Sequence, residues 1–173
     1  GKLIGGSGKS TAIGAAIGTA VGTTAGVLIG KKMDKAKAEA AAIANAQVES
    51  VTDANGLQAV KVTFDSGILF ATNKAELNSS AKASLKEFAD VLKNYTDADV
   101  AIVGHTDNTG SDAINNPLSL KRAQSVESYL KSCGVTADQI TSVDGKGSKE
   151  PVADNGTAAG RTQNRRVEVF MYA

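Results

Sequence analysis

Between residues 77 and 95 the apolar positions Leu77, Ala81, Leu85, Phe88, Leu92 and Tyr95 recur at i, i+4 and i+7/8. That rhythm predicts an amphipathic helix at about 79–94. A second helix is expected at about 117–132, with Pro117 in its first turn and Gly134 at its C-terminal exit. Around these lie short segments of strand character. QVESVT and LQAVKVTF flank a DANG turn signal at 53–56 and predict a β-hairpin. DVAIVGH at 99–105 is apolar enough for a buried strand, and ITSVDGKG at 140–147 and RRVEVFMY at 165–172 supply the last two. The order β-β-α-β-α-β-β predicts an α+β fold of two main helices packed on one mixed sheet.

The start of the chain follows another pattern. Residues 12–29, AIGAAIGTAVGTTAGVLI, carry no charge, and Gly14, Gly18, Gly22, Gly26 and Gly30 repeat every four residues. On a helix this spacing makes one flat groove beside Ile13, Ile17, Val21 and Ile29. Each glycine costs a helix on the order of 1 kcal/mol relative to alanine, and close packing against another helix would offset that. A Gly-zipper helix that self-associates through residues 14–30 is therefore expected. A flexible Gly/Ala/Thr leader is the alternative. At ~1.5 Å per residue an eighteen-residue helix reaches roughly 27 Å, at the short end for a bilayer. Residues 33–46 are Ala-rich with interleaved charges and predict a helical stalk. The expected division is thus 1–46, zipper segment and stalk, and 47–173, the folded domain.

Charge divides the chain at the same place. The first 45 residues hold six Lys against two acids, a net +4. The remainder holds thirteen Lys/Arg against sixteen acids, a net −3. An acidic domain is a poor nucleic-acid binder, whereas a basic flank on an apolar segment suits a membrane surface. With no initiator Met and no legible signal segment, the chain is expected to be a mature or trimmed product.

On the second helix, Leu118, Ala123, Val126, Tyr129, Leu130 and Cys133 fall within an arc of ~140° at about 100° per residue, and Arg122 falls inside it. A guanidinium on a core-facing stripe is costly to bury unless an anion meets it. Such a conflict between pattern and residue marks a candidate site. The loop before this helix, HTDNTGSDAINN at 105–116, follows a buried strand and carries Asp107 among Thr106, Asn108 and Thr109. An Asp and an Arg facing one cleft suit a zwitterionic α-amino-acid group: the carboxylate takes the ammonium and the guanidinium forks onto the carboxylate. A plain Asp107–Arg122 ion pair closing the loop onto the helix is the competing reading.

GHTDNTG (104–110), NNPLSLKRAQSVESYL (115–130), GVTADQI (134–140), GKGSKEPVADN (145–155) and GRTQNRRVEV (160–169) together resemble the OmpA C-terminal, peptidoglycan-associated domain. The resemblance covers roughly residues 60–173. It implies that Asp107 and Arg122 hold the amino and carboxylate groups of diaminopimelate in the peptidoglycan stem peptide. It further implies contacts from Asn73, Thr109, Asn115 and Arg165, while Ala71 stands where many relatives place an Asp. The leader is similar to those of outer-membrane lipoproteins, whose acylated Cys would precede Gly1. The resemblance thus places the chain at the outer membrane, touching its lipid, with the C-terminal domain in the periplasm.

Other signals are weaker. GGSGKST at 5–11 lacks the first glycine of a P-loop, because Leu3 stands there, and no strand is expected before it. His105 is the sole histidine and lacks a partnering nucleophile, so no catalysis, metal or cofactor is expected. It reads as a hydrogen-bonded anchor of the loop. Cys133 reads as a small buried hydrophobe. Among Arg161, Arg165 and Arg166, Arg165 is the pocket candidate. The expected function is non-covalent, non-enzymatic peptidoglycan binding that tethers the outer membrane to the wall. One rival makes the zipper an oligomeric membrane or pore element positioned by a wall-binding domain. Another, a stator-type motor protein, needs an ionisable residue in its membrane helix, and residues 12–29 have none.

Overall fold

The computed structural model describes residues 22–23, 31–53, 56–71 and 74–172. The strands are β1 (Gly22–Thr23), β2 (Ala46–Thr52), β3 (Gln58–Asp65), β4 (Asp99–His105), β5 (Ile140–Gly145) and β6 (Arg166–Tyr172). The helices are α1 (Lys31–Ala41), α2 (Ser66–Leu69), α3 (Ser79–Lys93), α4 (Asp112–Ser132) and α5 (Ala158–Asn164). One mixed sheet runs in the order β1-β2-β3-β6-β4-β5, and only β4 and β5 are parallel. The hairpin expected around DANG is the β2–β3 pair, in register from Ala46↔Phe64 to Thr52↔Gln58. Its turn is braced by Asp53, whose carboxylate accepts from the Leu57 N–H and the Tyr172 hydroxyl, both at 2.9 Å.

Alternate strand residues face two clusters, as the period of two requires. Val60, Val62, Phe64, Val100, Ile102, Val167, Val169 and Met171 face the main core with α1, α3 and α4. Val51, Ala59, Ala101, Val103, Phe170 and Tyr172 form a smaller cluster on the other face. Helix α3 has the expected rhythm: Asn78 caps it through the Ala81 N–H at 2.9 Å, and Leu85, Phe88 and Leu92 are buried. Phe88 meets Phe64 edge-on with centroids 5.9 Å apart.

Three expectations change. The stretch read as a stalk shares the core, because Met33, Ala36 and Ala40 of α1 and Ile43 just past its end are all buried there. Alanines give a weak hydrophobic signal, yet their small side chains let a helix lie close to a sheet. Tyr95 also donates to Glu39 across the contact, and this hydrogen bond, followed by burial, pushes the phenol up to about 12. Second, Gly22 and Thr23, placed by the glycine period in a zipper helix, are extended and pair with Thr52 and Val51. A sheet edge offers unpaired backbone groups, and Gly and Thr are weak helix formers. The remainder of the 12–29 run lies outside the described residues. Third, α4 begins at Asp112, so Pro117 sits inside it rather than in its first turn. The added turn is closed by the Asn115 N–H on the Ser111 carbonyl at 2.9 Å.

The buried face of α4 accordingly runs through Asn115, Ser119, Arg122, Ala123, Val126 and Leu130, with Leu118, Tyr129 and Cys133 only half-buried. Its polar first half has a cause. A Cβ on Gly104 would come within 2.1 Å of the Ser119 carbonyl oxygen, and one on Gly145 within 2.3 Å of the Leu120 nitrogen. Helix backbone therefore rests directly on the ends of β4 and β5, which only glycine permits. Arg122 lies one turn beyond this contact.

Candidate functional site

The sheet order assembles the site. Central β6 lies antiparallel to β4, with His105 opposite Arg166, so Arg165 enters beside the residues that leave β4. Thr106 anchors that exit: its N–H donates to the Gly147 carbonyl at 2.9 Å and its hydroxyl to the Asp107 carbonyl at 2.8 Å. Asp107 then folds back in a tight turn, one carboxylate oxygen accepting from the Thr109 N–H at 2.9 Å. The Asn115 amide reaches the Asp107 and Gly110 carbonyls, each at 3.4 Å, and ties the loop to α4.

The other Asp107 oxygen accepts from Arg165 at 2.5 Å, and Arg165 also donates to the Thr162 hydroxyl at 3.0 Å. Burial alone would raise the Asp107 carboxyl. The Thr109 and Arg165 hydrogen bonds outweigh it and hold the group below the usual carboxylate range. Arg122 faces the same cleft, but no ion pair joins it to Asp107, which removes the plain loop-closing reading. Its Nε donates to the Lys74 carbonyl at 2.9 Å, and its guanidinium carbon lies 5.0 Å from the centre of the Phe70 ring. Asp107 and Arg122 are each only 6% exposed. Burial and the like charge of Arg165 pull the Arg122 pKa below its ordinary value, with Asp107 opposing them. Arginine keeps its proton nonetheless, so the cleft holds two cations and one anion.

This cleft has a volume of about 530 Å³. The structure brings Asp107, Thr109, Asn115, Arg122 and Arg165 to its lining, while Asn73 lies outside the described residues. Ala71 lines it as well. Phe70 and Ser66 were missed in the sequence: Phe70 reads as one more apolar residue of GILF, and Ser66 as a turn residue. The Ser66 hydroxyl is buried with no hydrogen-bond partner among the described residues.

Behind the site, on the second face of the sheet, Glu168 accepts from Arg166 Nε at 2.8 Å and lies 3.2 Å from His105 Nε2. Burial would raise this carboxyl, but His105 and Arg166, helped by Lys61, hold it down at about 2. Arg166 also donates to the Asn164 and Glu150 carbonyls. His105 is thus an anchor, as expected, but to β6 rather than to the loop. Among the described residues no group of His, Cys, Asp or Glu could hold a metal, and no helix is long and apolar enough to cross a membrane.

A family model described as the OmpA family matches residues 69–165, and one described as a glycine zipper matches residues 1–37. The peptidoglycan-binding protein ArfA of Mycobacterium tuberculosis is 47% identical over 104 residues, 60% of this chain and 32% of that protein. The probable lipoprotein YiaD of Escherichia coli is 42% identical over 110 residues, 64% of this chain and 47% of its own length. The chain therefore spans about a third of the mycobacterial relative and about half of the lipoprotein. Among solved structures, the cell wall anchor of the T6SS from Pseudomonas aeruginosa is similar at 31% identity and a TM-score of 0.67, covering 82% of this chain and 96% of that one.

Proposed function

From its membership of the OmpA family, we propose that this chain binds peptidoglycan non-covalently, taking the diaminopimelate of the stem peptide between Asp107 and Arg122. The observation that carries the reading is the buried Arg122 guanidinium, which faces the cleft across from an already-bonded Asp107 and forms no ion pair among the described residues. A ligand carboxylate would supply the missing anion, and the planar fork favours a two-point contact. Asp107 spends two acceptor sites on Thr109 and Arg165, which leaves lone pairs for an ammonium. The free end of diaminopimelate carries ammonium and carboxylate on one carbon. Lysine at the same stem position offers only the ammonium. The names of ArfA and of the T6SS cell wall anchor support the wall as the partner.

The domain belongs, in this reading, in the periplasm of an outer-membrane-attached protein. Residues 1–21, within the stretch that matches the glycine-zipper model, provide the membrane end in this reading, meeting lipid and associating with one another through Gly14 and Gly18, because Gly22 and Thr23 pair in the sheet and the 31–41 helix packs in the core. The function is tethering, without catalysis. The test is titration of purified chain with stem peptides of diaminopimelate and lysine type, alongside Asp107→Ala and Arg122→Ala. Each substitution removes a charged contact of about 1.5–3 kcal/mol, so affinity should fall roughly ten- to hundred-fold. The lysine-type peptide should bind wild type about as weakly as the diaminopimelate peptide binds Arg122→Ala. Wild-type affinity in both variants, with no preference between stems, would refute the assignment.

A further inference from the structure

A larger groove, of about 920 Å³, runs beside the wall-ligand cleft between α4, from Ile114 to Tyr129, and the 74–82 segment. Ile114, Pro117 and Leu118 line it together with Lys74, Lys82 and Lys121, and Ile114 is 59% exposed. Lys61, Lys86, Lys93, Lys131 and Lys146 each meet an acid, but among the described residues these three lysines meet none. Glu76 is the one acid in the lining. An uncompensated basic groove with an apolar lining thus lies on a domain whose net charge is negative.

It adjoins the cleft. Leu118 lines both. The strap between them is the 74–75 backbone, whose carbonyls accept from Arg122 at 2.9 Å and from the Ser125 hydroxyl at 2.5 Å. Leu118 thus offers a stem peptide seated against Arg122 a short route into the groove.

Resting on the wall-binding reading above, we infer that this groove is a second subsite of the same ligand, holding the carboxylate-bearing peptide that flanks diaminopimelate. A stem peptide carries there what the groove complements: alanine methyls for Ile114, Pro117 and Leu118, and free carboxylates for the lysines. One is the α-carboxylate of the γ-linked glutamate, and another is the C-terminal carboxylate of D-alanine. The lysines are exposed, so each contact is weak and screened by salt, and together they steer and orient the peptide.

The experiment uses the full chain and two ligands, free meso-diaminopimelate and the unmodified stem tetrapeptide, against wild type and the double variant Lys82→Glu, Lys121→Glu. Free diaminopimelate has no net charge, so the groove's sign matters little to it, and its retained binding doubles as a check of folding. The expected result is unchanged affinity for diaminopimelate with a roughly five- to tenfold loss for the tetrapeptide. In wild type, amidating the glutamate α-carboxylate should lower tetrapeptide affinity in the same direction. Tetrapeptide affinity untouched by both changes overturns the subsite and leaves the groove to another occupant, such as an acidic protein. Failure of wild type to bind diaminopimelate at all would instead overturn the wall-binding reading beneath it.

Discussion

Asp107 takes its side-chain hydrogen bond from Arg165, at 2.5 Å, although both it and Arg122 face one cleft. The arrangement separates two jobs that a single Asp–Arg pair would have merged. In the proposed reading Arg165 holds Asp107 ionised, while Arg122 is left to meet the ligand's anion. Its cost is a buried guanidinium that forms no ion pair among the described residues, eased by the Phe70 face and the Lys74 carbonyl.

The pH dependence of ligand binding follows from this division. The Asp107 pKa is depressed in the folded chain, so the carboxylate that the proposed reading needs persists at neutral pH and is lost only as pH falls below the ordinary carboxylate range. Removing Arg165 takes away one of the depressing bonds and leaves burial, which raises the pKa. Affinity for a diaminopimelate peptide should therefore decline on acidification at a higher pH in Arg165→Ala than in wild type. Calorimetric titrations from pH 7 downward would read the two midpoints, and coincident curves would mean that Arg165 does not tune Asp107.

Close backbone contact gives a second expectation. Gly104→Ala puts a methyl group 2.1 Å from the Ser119 carbonyl, and that neighbour is backbone, not a flexible side-chain end. Helix α4 must shift, and overpacking of this kind costs roughly 1–3 kcal/mol or more. Urea unfolding should show the lower midpoint. Because Arg122 lies one turn past Ser119, peptide affinity should drop in whatever fraction remains folded. Full stability in the variant would contradict the contact.

How much of this was legible beforehand depends on where each signal lies along the chain. The DANG hairpin, the rhythm of α3 and the apolar run of β4 are local patterns, and each is where the sequence puts it. Arg122 announced itself by breaking an apolar stripe. Arg165 bonding to Asp107 joins residues 58 apart through the β4–β6 register, which no local pattern encodes. The same holds for Phe70 beneath Arg122. The packing of α1 was hidden because Met33, Ala36 and Ala40, with Ile43 just past the helix, make a stripe mostly of small residues among charges. The ionic cluster behind the site hid inside RRVEVFMY, where Arg166 and Glu168 share one face of a strand that is buried on both.

That cluster sets a limit on acid stability. Glu168 titrates at about 2 when folded, against an ordinary value of 4.5. For a depressed carboxylate, the stabilisation is fully present above the unfolded pKa and lost as pH falls through the folded one. Stability should therefore decline between about pH 4.5 and 2, as measured by urea midpoints. Glu168→Gln should flatten that decline while lowering stability at pH 7 by roughly 3–5 kcal/mol, since it leaves Arg166 buried without its carboxylate. An unchanged pH profile in the variant would assign the acid sensitivity elsewhere.

The packed helix at the start of the described region makes the last expectation. If α1 were a stalk held apart from the domain, substitutions on it would leave unfolding unchanged. Met33 and Ile43 are instead 3% and 6% exposed and lie in the main core. Truncating either to alanine should cost roughly 2–5 kcal/mol. Tyr95→Phe, which removes only the hydroxyl that reaches Glu39, should cost about 1 kcal/mol. Lys35→Ala and Lys37→Ala serve as controls on the same helix, because neither lysine is among the buried residues. Wild-type stability in Met33→Ala and Ile43→Ala would return α1 to the role of a stalk. Losses in those two with none in the lysine controls would mean that a wall-binding fragment must begin near Lys31, because one starting at residue 47 leaves a core stripe open to water.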